Sequence, residues 1–200
     1  MPVNWNPIDE VDLNGNQLKL IFLATQWLKI KKNENEKTKV YSLLDSMLNK
    51  AIARNQNILV AAHHPIYTIG KHSKKHRNEF PKLWKAQDIY HPLYKEMRVR
   101  IENILSQKNY PIIYASGHDH VLEYFRKNSV QYIVSGAGSK SSQYNNKQNQ
   151  DFNPAPGEDL SGNQMAKVNE GYFEVDYTGD NASIKVAFYE QDKLRNESIK

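Results

Sequence analysis

The sequence predicts an α/β fold built on a mixed sheet with an antiparallel margin. Short apolar runs at Leu18–Ala24, Ile58–Ala62 and Pro111–Ala115 have the uninterrupted hydrophobicity of strands buried on both faces. Two amphipathic segments at helical spacing separate those runs. After the third run the pattern changes to short paired strands, which adds the antiparallel margin.

Residues 1–17 are polar, carry Asn, Pro, Asp and Gly, and read as a loop. Leu18–Ala24 is the first strand, and 33–38 is a charged connector. Val40, Leu43, Leu44, Met47, Leu48, Ala51 and Ile52 then recur at i, i+3, i+4 spacing, so this segment is a helix with one apolar face, ended by Arg54–Gln56. Ile58–Ala62 is the second strand, and a histidine-rich loop follows it. His91–Gln107 is the second helix, with Pro92 suited to its first turn. Pro111–Ala115 is the third strand and runs into Ser116-Gly117-His118-Asp119-His120. Val121–Phe125 and Val130–Val134 form a hairpin around Lys127-Asn128-Ser129. The chain reads as one domain with its core over 18–135, a polar loop over 136–165 and a last hairpin within 171–190, at Tyr172–Tyr177 and Ile184–Tyr189.

Composition excludes several functions. The sequence has no cysteine, so disulfide scaffolds, thiolate metal sites and cysteine nucleophiles are ruled out, and any metal must be held by nitrogen and oxygen. No run approaches the roughly 18 apolar residues of a membrane span. Met1–Glu10 has neither the basic nor the apolar region of a signal peptide. The formal net charge is +5, with a short cluster at Lys71, Lys74, Lys75 and Arg77. That bias suits an anionic substrate. A basic patch interleaved with aromatics is absent, so nucleic acid is not an expected partner.

The chemistry-bearing residues are histidines. Of seven, His63, His64, His72 and His76 lie in the loop after the second strand, and His118 and His120 lie just after the third. In α/β sheets, ligands gather where loops leave the C-terminal ends of strands. Neutral imidazole is a common ligand for zinc, iron and manganese.

Ala62-His63-His64-Pro65 resembles the GHxP element of calcineurin-like metallophosphoesterases, and Gly117-His118-Asp119-His120 resembles their GHxH element. Pro65, Tyr67, His72 and His76 follow with the spacing of the purple, or tartrate-resistant, acid phosphatase branch. Val134-Ser135-Gly136-Ala137-Gly138 resembles its later glycine turn. The resemblance covers about residues 18–140 and implies a phosphoester substrate and a pair of iron, zinc or manganese ions. It implies that His63 and His118 hold one ion, that His120 holds the other, and that the three converge in one site. It makes His72 a proton donor or phosphate contact. His76 and His64 would lie around the substrate, and Tyr67 would line its pocket. Two cations about 3.5–4 Å apart would offset the phosphoester charge and lower the pKa of a bound water.

The family's aspartate elements, of the DxH, GDxxD and GNHD type, do not occur before His63. The resemblance therefore implies the C-terminal half of a four-layer α/β/β/α sandwich, with partial metal occupancy and doubtful turnover by this chain alone. The alternative is a non-catalytic half-domain that binds a partner. Two helices can cover one face of the sheet, so the other face is expected to be apolar and bare, favouring self-association or a missing N-terminal half. The branch is often exported, so the compartment stays open.

Overall fold

The computed structural model describes residues 6–15, 17–30, 33–73, 86–139, 165–167, 169–178, 181–190 and 193–199. β1 (Ile8–Leu13) pairs antiparallel with β2 (Leu18–Leu23). The segment expected to be a loop thus contains a strand. Its polar composition hides it, because Glu10 and Asp12 share one face and meet Lys19 of β2, at 3.0 and 2.7 Å. The connection spans positions 14–17, with Asn14 and Gly15 at positive φ and the Gln17 N–H bonded to the Asn14 carbonyl at 3.2 Å.

A short helix, α1 (Thr25–Ile30), follows β2. α2 (Glu34–Ala53) starts earlier than its apolar periodicity. Asn33 caps it by accepting hydrogen bonds from the backbone N–H groups of Asn35 and Glu36, at 3.0 and 3.3 Å. Asn55, in the left-handed region, stops it. β3 (Asn57–Ala62) pairs parallel with β2. α3 (Pro92–Ser106) has proline in its first turn, as expected. β4 (Ile112–Ser116) pairs parallel with β3. β5 (Leu122–Lys127) and β6 (Val130–Ser135) form the predicted hairpin, and β6, not β5, lies parallel beside β4. β7 (Met165–Lys167) closes the far edge against β5. The order is β1-β2-β3-β4-β6-β5-β7, a parallel centre with antiparallel strands at both margins.

β8 (Gly171–Thr178), β9 (Asn181–Glu190) and β10 (Lys193–Ile199) make a second, antiparallel sheet. β10 was not expected. Its residues from Lys193 to Ser198 are exposed, so it has no apolar pattern to read.

Strand alternation divides the core. Ile21, Leu23, Ile58, Val60, Ile112, Tyr114, Val130 and Tyr132 face the helices and join Leu28, Leu44, Leu48, Met97 and Ile101. On the opposite face Ile113, Tyr124 and Ile133 pack with Ile184 of the second sheet, supported by Phe173 and Val175. That face is therefore not bare throughout. The second sheet covers it over β4, β5 and β6, while Val11, Leu13 and Phe22 stay exposed on β1 and β2. Among the described residues no helix is long and apolar enough to cross a membrane.

Candidate metal centre

β3 and β4 are adjacent and parallel, so their C-terminal loops leave the sheet side by side. The Gly117 N–H bonds the His63 carbonyl at 3.2 Å and ties the two loops together. His118 takes φ +66°, an uncommon conformation for a side-chain-bearing residue. It turns the ring toward the first loop. His118 Nδ1 then lies 3.1 Å from His63 Nε2. The other nitrogen, His118 Nε2, donates to the Gln87 carbonyl at 3.1 Å. A carbonyl can only accept, so Nε2 carries the hydrogen and the Nδ1 lone pair points at His63. Orientation of this kind is what a ligating histidine receives from a partner behind it. Burial pushes the His118 imidazole down to about 4, and partial burial, then the charge of Lys29, lowers His63. Both rings are neutral at pH 7.

His64 completes a group with His63 and His118 in which each residue offers one ring nitrogen, and those three atoms lie within 4.8 Å of one another. It is fully buried and doubly engaged. Its Nδ1 is 2.9 Å from Thr25 Oγ1, which also accepts the His64 N–H at 3.1 Å. Its Nε2 is 2.9 Å from Lys29 Nζ. Lys29 is itself buried and donates to Gln87 Oε1 at 3.0 Å. Burial, with the Lys29 charge second, pushes His64 down to about 2, and burial lowers Lys29.

His72 lies in the short turn Lys71–Ser73, its ring centroid 4.7 Å from that of His118. Its Nδ1 is 3.3 Å from Oδ1 of buried Asp88. Its N–H bonds Asp119 Oδ1 at 3.2 Å. Asp119 is buried and braces the loop after β3. The bare backbone of Gly136 makes room for it, since a Cβ there would stand 1.8 Å from the Asp119 carbonyl oxygen. Tyr67 lies in the core against Tyr132, with its hydroxyl donating to Glu102. That placement makes it a packing residue. His120 is exposed and is not in the histidine group. His76 falls outside the described residues.

The fit to a metal is partial. His63 Nε2 and His118 Nδ1 stand at the separation of two nitrogens on one ion with bonds of about 2.0–2.1 Å. The described group holds no carboxylate, and His64 has both nitrogens engaged. This set fits one nitrogen-preferring divalent ion and not a pair. Sequence reasoning missed Thr25, Lys29, Gln87 and Asp88.

No protein-family model matches the chain, and no curated protein matches it. Among solved structures it is similar to GAP50, the anchor in the inner membrane complex of Plasmodium, at 17% identity and TM-score 0.56, covering 96% of this chain and 53% of that one. It is also similar to PhoD, at 11% identity and TM-score 0.56, covering 96% of this chain and 40% of that one. The likeness is one of fold. The chain spans about half the length of GAP50 and less of PhoD.

Proposed function

We propose that this chain is the histidine-bearing half of a metal-dependent phosphoester hydrolase. The observation that carries the reading is the 3.1 Å approach of His63 Nε2 and His118 Nδ1, with His118 oriented from behind by the Gln87 carbonyl. The GHxP-like and GHxH-like elements and the fold shared with PhoD support it. His63 and His118 hold one divalent ion, which supplies Lewis acidity toward a phosphoryl oxygen when bound. His72 turns Nδ1 to Asp88, which leaves Nε2 to donate a proton to the departing alkoxide. The carboxylates that such a centre needs come from outside this chain's histidine group.

The test is zinc titration by calorimetry alongside hydrolysis of a generic phosphomonoester. The chain should bind one ion, lose it in His63→Ala, and turn over little by itself. An unchanged zinc affinity in His63→Ala and His118→Ala sinks the metal assignment.

A second reading is a non-catalytic binding module. The buried Lys29 ammonium beside the histidines favours it, because fixed positive charge opposes a metal ion. The similarity to GAP50, described as an anchor, fits it equally. Zinc binding that is weak or absent, with no turnover even when carboxylate-bearing sequence is supplied in trans, selects this reading.

A further inference from the structure

Lys29 makes an unusual contact for a six-residue surface helix. Its ammonium is buried and stands 2.9 Å from His64 Nε2. Thr25, on the same helix, takes His64 Nδ1. Helix α1 therefore grips His64 through both ring nitrogens. Without Lys29, His64 Nε2 would be an open lone pair in a group whose three ligand atoms lie within 4.8 Å of one another and would draw closer to share one ion through bonds of about 2.0–2.1 Å. Three imidazoles with an open fourth position are a known zinc donor set. Thr25 would then brace the ring from behind through Nδ1, as a partner behind a ligand does.

We propose that Lys29 is a latch on a three-histidine zinc site. Its ammonium occupies the ligand face of His64, holds that residue out of the coordination shell and restricts the centre to the His63–His118 pair. The inference rests on the proposed metal-holding role of His63 and His118, and it adds which residue decides the ligand count. It also gives Lys29 an effect opposite in sign to ordinary packing. A structural lysine, once removed, would loosen the site and weaken the metal. A latch, once removed, strengthens it, because a repelling charge is lost and a third ligand is gained.

The experiment titrates zinc into the full chain and into Lys29→Met, Lys29→Arg and Lys29→Met/His64→Ala, with circular dichroism confirming the fold of each. Lys29→Met should bind zinc at least ~10-fold more tightly than the parent, a gain on the scale that metal-site neighbours control. Lys29→Arg, which keeps charge and donor, should show no gain. The double variant should keep only the part of the gain that relief of repulsion supplies, because the third ligand is gone. If Lys29→Met does not fold, Lys29→Gln, which removes the charge but keeps a donor for His64, should still bind more tightly through relief of repulsion. An unchanged or weaker zinc affinity in a folded Lys29→Met, or a gain that survives His64→Ala undiminished, overturns the latch. Zinc binding absent from the parent but present in Lys29→Met would uphold the latch and overturn the proposed function. Binding in the parent that His63→Ala abolishes keeps that function standing whatever the Lys29 variants do.

Discussion

Thr68 Oγ1 donates to Asp119 Oδ2 at 2.7 Å, joining the loop after β3 to the residue that follows His118. The other oxygen, Asp119 Oδ1, takes the His72 N–H. One buried carboxylate thus fixes both loops that carry the histidines. Asp119→Ala leaves the buried Thr68 hydroxyl and the part-buried His72 N–H without this acceptor and should lower stability by about 3 kcal/mol. It should also weaken zinc binding, since His118 is the next residue. Urea unfolding and a zinc titration check this together. Normal stability with normal zinc affinity would show that Asp119 is not the brace.

His118 and His120 separate by exposure. His118→Ala removes a nitrogen of the close pair and should weaken zinc by more than the ~10–100-fold typical of an outer partner. His120 is exposed and outside the group, so His120→Ala should leave zinc affinity within about threefold, well short of that range. Calorimetry on the two variants decides. Equal losses would place His120 on the same ion.

Acid should unfold this protein early. His64 faces Lys29, Thr25, Tyr94, His63 and His118, and burial with the Lys29 charge pushes it down to about 2. His118 faces His63, His72, Tyr94, Asp119 and the Gln87 carbonyl, and burial pushes it down to about 4. An unfolded imidazole titrates near ~6.5. Below that pH the unfolded chain binds more protons than the folded one, so stability falls as pH falls. The loss begins near 6.5, runs through about 4 for His118 and continues toward about 2 for His64. Each ring contributes up to about 1.4 kcal/mol per pH unit. Urea midpoints at pH 7.5, 6 and 5 should drop in order. A midpoint that holds steady across that range would mean these rings are protonated in the native state.

The exposed end of the sheet should be adhesive. Val11 and Leu13 are 39% and 41% exposed, and Phe22 is 38% exposed. In register, Val11 stands across from Leu20 and Leu13 across from Leu18, so the patch is continuous. Soluble monomers rarely leave apolar patches beyond a few hundred Å². Sedimentation should show concentration-dependent association that Val11→Ser/Phe22→Ser reduces. Monomeric behaviour of the parent at high concentration would show the patch to be tolerated.

The central strands were legible because Leu20–Leu23, Ile58–Val60 and Ile112–Tyr114 are apolar on consecutive residues, the pattern of strands with two apolar faces, even though Phe22 on β2 is left exposed. β1 was not, because Glu10 and Asp12 face inward and are neutralised by Lys19, so its polarity mimics a loop. The Asn14-Gly15 turn was the available signal. The meeting of His63 and His118 was readable from their positions after two buried strands. Lys29 was not readable at all. A lysine in a short helix reads as solvated, and only its contact with His64, 35 positions later, reveals the burial.

His63 and His118 lie 55 positions apart and meet only after β3 and β4 have paired. Such non-local parallel pairing forms slowly, because loop-closure entropy is spent before contacts compensate it. Zinc affinity is therefore a readout of completed folding. Zinc added early in refolding finds no preformed pair and should leave the rate nearly unchanged, while slowing unfolding once the native chain has formed.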